Sequence, residues 1–534
     1  MQVVKRDGSI EEFNVDKIIS AVEKAFKSCN KKMPQYLYDM IGALFGTLEG
    51  DTIGIEEIQN KVEDVLMNDK HFDVAKNYII YREQHKQARF IRERIDYMNE
   101  YSQSNENAAT SSETDGNANV TMKNVANLEG EVYKTTNRVI QRQRMKDKLN
   151  EMYPEVAKKY EEDLNSHIIY THDEATTPVL KQYCMAVSLY PLMMEGVGNI
   201  DGITPTPPND LQSFSGQVTN LIFLLSSQCK GAVAVGEYFI ALNYYIVQEF
   251  GPNWYEKLDV VTTTDHCSKQ RTIRDAIYKA FKQFIYGVNQ PAGNRSYQSP
   301  FTNVSYYDHT YFDSLFGEFC YPDGTKPQWE AVDCLQRLFM KFFNKLRTKQ
   351  ILTFPVETMA MVYDPKTNDI IDKDYKDFTA EMYAEGHSFF TYISDSADSL
   401  ASCCRLRNEL AENTFSPTSG LTGVMTGSCN VITLNINRIV QDCNKAYGLK
   451  RNGGWKENTS FLRDYLVDIL QRVYKYHIAF KTMLYELEDR GMFAASSGGY
   501  IYISKLYSTI GINGLNEAAR FLGMTVGNNK EYIE

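Results

Sequence analysis

Apolar positions along the first 90 residues switch period in a way that predicts a hairpin followed by helices. Val3 and Val4 lead into Asp7-Gly8, a pair suited to the left-handed turn of a two-residue hairpin, and Ile10 and Phe13 lie on the return strand. Asn14 then stands where a helix N-cap is wanted. Val15, Ile18, Ile19, Val22 and Phe26 follow at the spacing of one helical face. Ile55, Ile58, Val62 and Val65 predict a second helix, and Val74, Tyr78, Ile79 and Arg82 a third. From Ser102 to Asn119 the chain is almost wholly Ser, Asn, Thr, Glu and Gly. Such a stretch buries too little surface to offset its ordering entropy, so it reads as a loop. Beyond it, short apolar runs at Leu221–Leu225 and Val431–Ile436 read as strands. Leu462, Leu466, Ile469, Val473 and Phe480 read as a helix. Such alternation predicts a mixed α/β architecture. The expected boundaries are a head over residues 1–92, a polar linker over 93–125 and a large α/β body over 126–534.

Composition narrows the function. The 534 residues are 43% hydrophobic, enough for a large core, and the net charge of −11 argues against nucleic acid as the main partner. A few local cations can still hold one triphosphate. No apolar run approaches the ~18 residues of a membrane span, so a soluble, cytoplasmic protein is expected. The ten cysteines include no C-x-x-C pair, so a four-thiolate zinc site is not expected within this chain.

The head carries a candidate nucleotide site. A tight Gly turn brings backbone close to phosphate. Lys5, Arg6 and Lys17 supply cations, and the Arg6 guanidinium can bind two oxygens at once. The segment Val3, Lys5, Arg6, Asp7, Gly8, Glu11, Asn14 and Lys17 resembles the ATP-cone of ribonucleotide reductases. By that resemblance these residues bind ATP or dATP and convert one hydroxyl of difference into regulation. Many cones carry a Thr before the second helix where this chain has Gly54.

In the body, Ala401-Ser402-Cys403-Cys404-Arg405 places two thiols side by side. Gly427-Ser428-Cys429-Asn430-Val431 and Thr433-Leu434-Asn435 follow. A cysteine alone is often only a small buried hydrophobe. These segments, however, resemble the anaerobic, glycyl-radical (class III) ribonucleoside-triphosphate reductases, as do Tyr183-Cys184, His167 to Asp173, Gln298 to Phe301 and Thr509 to Leu515. The resemblance implies a ten-stranded α/β barrel, incomplete here, of two parallel halves running antiparallel to each other. It implies Cys404 as the thiyl-forming residue on a finger loop, Cys184 on the opposite face of the ribose, and Asn430 beside substrate or formate. Cys403 and Cys429 are extra thiols, either redox-active with a thioredoxin-like donor or simply packed. Gly511, Asn513 and Gly514 form a turn that can present backbone N–H groups to substrate phosphate.

The resemblance also implies a ribonucleoside triphosphate substrate, dNTP effectors, formate as reductant and a homodimer or higher oligomer. An iron–sulfur S-adenosylmethionine activase would generate the glycyl radical. Family members continue beyond the counterpart of Glu534, where they hold the zinc site and the radical glycine. The expectation is therefore a separate glycyl-radical-bearing polypeptide. Two rival readings are a pyruvate formate-lyase-like enzyme, a group without the cone, and a catalytically silent ATP/dATP sensor.

Overall fold

The computed structural model describes residues 2–5, 9–46, 52–103, 124–197, 206–264, 270–292, 298–397, 399–402, 406–409, 425–449 and 458–533. Contacts divide the chain into two compact units, Met1–Asn105 and Glu106–Glu534.

In the first unit, β1 (Gln2–Val4) pairs antiparallel with β2 (Ile10–Glu12) and parallel with β3 (Thr52–Gly54). Helix Val15–Ser28 starts where Asn14 accepts a hydrogen bond from the Asp16 amide, and it buries Ile18, Val22 and Phe26. Helices Gln35–Gly46, Ile55–Asn68 and Phe72–Gln103 complete the packing, the first of them not anticipated from the sequence. Gly54 caps the Ile55 helix with no side-chain bond, the position where a Thr hydroxyl would serve. The Phe72 helix runs to Gln103, so residues 93–103 are helical rather than part of the linker expected from residue 93. The segment lacks Gly and Pro, and pairs such as Arg92–Asp96 (3.2 Å, one turn apart) support its exposed surface.

The second unit is built on a mixed sheet of nine strands among the described residues. These are β4 (Ile169–Thr171), β5 (Cys184–Ala186), β6 (Val233–Ala234), β9 (Thr302–Tyr307), β10 (Val356–Asp364), β11 (Asp369–Ile370), β12 (Phe390–Ser394), β15 (Thr426–Asn435) and β16 (Leu506–Asn513). Two antiparallel hairpins stand apart, β7 (Val261–Thr264) with β8 (Gln270–Thr272), and β13 (Ser399–Ser402) with β14 (Leu406–Glu409). Strands β5, β6, β9, β10 and β12 run parallel. Strands β15 and β16 are parallel to each other and antiparallel to β5. This is the expected layout of two opposed half-barrels, with one half and the first strands of the next in place. Every residue of β9 is buried, as a strand covered on both faces requires.

Helices Leu211–Ser226, Tyr238–Phe250, Ile273–Val288 and Trp329–Arg347 supply much of the core. Stacked aromatics such as Tyr238–Phe284, with centroids 4.2 Å apart, mark its centre. The Leu221–Leu225 run lies in the first of these helices and is not a strand. Asp210 and Ser213 form a capping box, and burial at Leu211, Phe214, Val218, Leu221, Ile222 and Leu225 follows the helical period. A core helix this apolar shows a strand-like run when read in a short window.

One buried group sets an acid limit on this core. His477, on the long helix Thr459–Glu488, is 2% exposed, and burial pushes its pKa down to about 4 against a weak opposing pull from the Thr509 backbone. Unfolded chains take up the proton near pH 6.5, whereas the folded chain resists until about pH 4. Stability is therefore present above pH 6.5 and is lost as pH falls through that window, by roughly 3 kcal/mol at most. His477→Phe is expected to flatten this limb of a urea-unfolding pH series; an unchanged slope between pH 6.5 and 4.5 contradicts the assignment.

Candidate active site and nucleotide-binding head

In the head, sheet pairing places Val3 opposite Glu11, with Val3 buried and Glu11 exposed. Glu11 stands 3.0 Å from Lys5 and 3.2 Å from Lys17, and Lys5 first and then Lys17 hold its carboxyl below the usual range. A depression of about 620 Å³ is lined by the run Glu11–Lys17, including the capping Asn14. The structure thus brings Val3, Lys5, Glu11, Asn14 and Lys17 together at one end of the three-stranded sheet, while Arg6, Asp7 and Gly8 lie outside the described residues.

In the second unit, β4 and β5 both pair with the same side of β15, at Ile432–Leu434 and Thr426–Ser428 respectively. The chain between them, His172 to Tyr183, is left to bulge away from the sheet. A cavity of about 1590 Å³ opens there, walled by this segment, β15, β16 and the helix Val125–Met152. Cys184, 5% exposed, lies in its wall. The Ala232 N–H donates to the Cys184 sulfur at 3.2 Å. A Cβ on Gly231 would stand 2.6 Å from that sulfur and 2.9 Å from the Tyr183 carbonyl, so glycine is what makes room for it. Gly427 serves the other side, where a Cβ would collide with the Cys184 carbonyl. Gly231 did not stand out in the sequence, and Gly427 was named there only as the start of the Gly427-Ser428-Cys429-Asn430-Val431 segment, with no role read for it.

Of the remaining expected residues, Gly511 and Asn513 line the same cavity, with Gly511 in close contact with Thr433, whose hydroxyl is 2.8 Å from His172 Nε2. Gly514 adopts φ +73° and begins the helix Leu515–Phe521, outside the cavity wall. Asn430 is buried, its Oδ1 has no hydrogen-bond partner, and it is not among the residues lining the cavity. The cause is local: a β-bulge at Cys429 breaks the register between β15 and β16 and shifts the facing of the residues after Ser428. Cys429 itself is buried in the core with its sulfur 3.4 Å from the Ser508 hydroxyl, and burial pushes its thiol up. Cys403 and Cys404 lie outside the described residues. The strands on either side of them, β13 and β14, form a hairpin that contacts β9, β10 and β15. A ring ladder, Tyr170–His172–Tyr183 (4.9 and 6.1 Å between centroids), runs along the cavity toward Cys184 and was not singled out from the sequence.

Among the described residues, no helix is long and apolar enough to cross a membrane.

Comparison with known proteins matches both units of the chain. The ATP cone domain model matches residues 1–87, and the model of the anaerobic ribonucleoside-triphosphate reductase matches residues 124–534. Among curated proteins, the ribonucleoside-diphosphate reductase subunit alpha of Chlamydia trachomatis is 38% identical over 106 residues, 17% of this chain and 10% of that protein. The anaerobic ribonucleoside-triphosphate reductase of Haemophilus influenzae is 36% identical over 96 residues, 17% of this chain and 14% of that protein. The matches thus span only a small part of these relatives. The anaerobic ribonucleotide reductase of Thermotoga maritima, in complex with dATP and CTP, superposes with a TM-score of 0.63 at 25% identity, covering 77% of this chain and 64% of that one. Resting on a family match over some three quarters of its length, the chain belongs to the anaerobic ribonucleoside-triphosphate reductases and carries an N-terminal ATP cone.

Proposed function

We propose that this chain reduces ribonucleoside triphosphates to 2′-deoxyribonucleoside triphosphates by thiyl-radical chemistry, under ATP and dATP control through the cone. The observation that carries this reading is Cys184 in the wall of a large cavity, its sulfur seated by the Ala232 amide and by the missing side chain of Gly231. The hairpin β13–β14, whose strands flank Cys403 and Cys404 in the sequence, lies against strands of the same sheet, and the family resemblance makes Cys404 the thiyl-forming residue.

A glycyl radical would supply the unpaired electron by taking a hydrogen atom from the Cys404 thiol. The Cys404 sulfur then removes the ribose 3′-hydrogen and later returns it. Cys184 protonates the departing 2′-hydroxyl, which leaves as water; the reductant supplies the two electrons and the hydrogen of the new C2′–H bond, and a proton from solvent restores the Cys184 thiol. With formate as reductant the balance is ribonucleotide plus formate plus one proton giving deoxyribonucleotide, carbon dioxide and water. Asn430 keeps a buried acceptor unspent beside the Cys429 bulge, which is compatible with a small polar reductant nearby. Cys403 and Cys429 stand as the alternative thiol route. The outer strand β16 pairs only with β15 among the described residues, and it offers an edge to which further barrel strands from a glycyl-radical-bearing polypeptide can add. The activase, dNTP effectors and a homodimer complete this reading. That the Thermotoga maritima enzyme holds dATP and CTP is consistent with nucleotide effectors and substrate.

Reconstitution tests it. The chain, activated anaerobically with an iron–sulfur S-adenosylmethionine activase and a glycyl-radical polypeptide, is expected to convert CTP to dCTP, stimulated by ATP and inhibited by dATP. ATP and dATP binding with no dCTP formed under any reductant would sink the enzymatic reading.

A further inference from the structure

The cavity wall carries more positive charge than the radical chemistry uses. On helix Val125–Met152, Lys134, Arg138 and Arg142 stand four residues apart, so they share one face over roughly 12 Å. All three line the cavity, and Lys230, next to the Gly231 that makes room for Cys184, joins them. Arg142 is held rigidly: Glu174 accepts from its Nε at 2.9 and 3.0 Å and pairs with Nη2 at 2.9 Å. Arg138 is only 3.9 Å from the same carboxylate and is half exposed. Lys230 is 6% exposed, and its ammonium donates to Gln141 Oε1 at 3.0 Å. The Gln141 amide in turn is fixed by the Thr177 carbonyl. Burial outweighs the pull of Asp173 and Glu174 and pushes the Lys230 pKa down to about 8, so its positive form is held at a cost.

We infer that Lys134, Arg138, Arg142 and Lys230 form a polyphosphate-binding wall, holding the phosphate chain of a nucleotide whose ribose reaches Cys184. The inference rests on the reductase reading above and adds residues to it. The row's length suits a triphosphate, whereas a single carboxylate would meet one or two of these cations. Guanidinium forks take two phosphate oxygens each, and Arg142 is pre-aimed by Glu174. Lys134 pairs with Glu131 as Arg142 does with Glu174, so an entering phosphate chain shares these two cations with their carboxylates while meeting Arg138 and Lys230 in the same wall. Gly511 and Asn513 belong to the same cavity, so backbone N–H groups there can act with the cations.

The test is equilibrium binding of labelled CTP to the full chain with the cone saturated by ATP, compared with cytidine. Arg138→Ala removes a half-exposed side chain, and Lys230→Met keeps the apolar stem without the charge. Each is expected to weaken CTP binding about tenfold, the double variant ~100-fold, with a shallower salt dependence and unchanged cytidine binding. CTP affinity within twofold of the parent in both variants, or an equal loss for cytidine, overturns the wall. Should Lys230→Met fail to fold, as a thermal melt would show, Arg138→Ala alone decides. A parent chain that binds no CTP overturns the reductase reading, and the wall with it.

Discussion

In the assembled system, Cys184→Ala is expected to drop deoxynucleotide formation to background while the fold and CTP binding persist. If Cys184 were merely a packed thiol, its loss would leave a small cavity costing about 1 kcal/mol of stability and no chemistry. The surroundings argue against packing. Two glycines approach this one residue, Gly231 at its sulfur and Gly427 at its carbonyl, and an amide N–H is aimed at the sulfur from 3.2 Å. A core thiol needs neither. Cys184→Ser keeps the shape and the hydrogen bond from Ala232 but not the acidity or the S–H bond strength, so it is expected to be equally inactive. Gly231→Ala gives a graded control: its new methyl must push the sulfur aside, and a displacement near 1 Å at a reacting group costs on the order of 100-fold in rate. The readout is the initial rate of dCTP formation beside a thermal melt of each variant. A Cys184→Ala enzyme retaining more than about a tenth of the parent rate would remove this residue from the chemistry.

What the sequence disclosed follows from how local each signal is. The head was readable because a hairpin, an Asn cap and amphipathic helices are decided within a few residues, and Asn14 caps its helix through the bond expected of it. The opposed half-barrels came through resemblance, since strand order and direction are set by contacts far apart in the chain. Asn430 shows the limit at residue level. Its neighbours Val431 and Thr433 line the cavity and Ile432 and Leu434 enter the core, but a bulge at Cys429 interrupts the alternation just before it, and no composition rule announces that bulge. The cationic wall was missed for a different reason. Lys134, Arg138 and Arg142 look like the solvated face of an exposed helix, and only the fold shows that this face closes a cavity. Lys230 gave no signal beyond its place in Cys229-Lys230-Gly231, because a buried ammonium is recognisable only from what surrounds it.

Asp163→Ala is expected to destabilise the larger unit by about 3–5 kcal/mol, among the largest losses a single substitution here can produce. Asp163, 3% exposed near the end of helix Pro154–Asn165, accepts from Arg472 Nε and Nη2, both at 2.9 Å, and from the Tyr476 hydroxyl at 2.7 Å. Both partners lie on helix Thr459–Glu488, so one carboxylate ties segments some 300 residues apart. Burial, reinforced by Asp163, raises the Tyr476 pKa and keeps its hydroxyl protonated as a donor. Removing the carboxylate leaves the largely buried Arg472 guanidinium only its exposed Asp468 partner and strands the buried Tyr476 hydroxyl, so most of their desolvation is then uncompensated. Lys475–Glu155 joins the same two helices at 2.8 Å, but on the surface, and Lys475→Ala is expected to cost less than ~1 kcal/mol. Urea unfolding followed by tryptophan fluorescence separates the two, since Trp254 and Trp329 both belong to the larger unit and its transition can be followed apart from the head's. Equal midpoints for Asp163→Ala and Lys475→Ala would show that the buried clamp contributes no more than a surface ion pair. A large shift confined to Asp163→Ala would place the main joint between these helices at this one carboxylate, just upstream of β4 and the His172 segment that shapes the cavity.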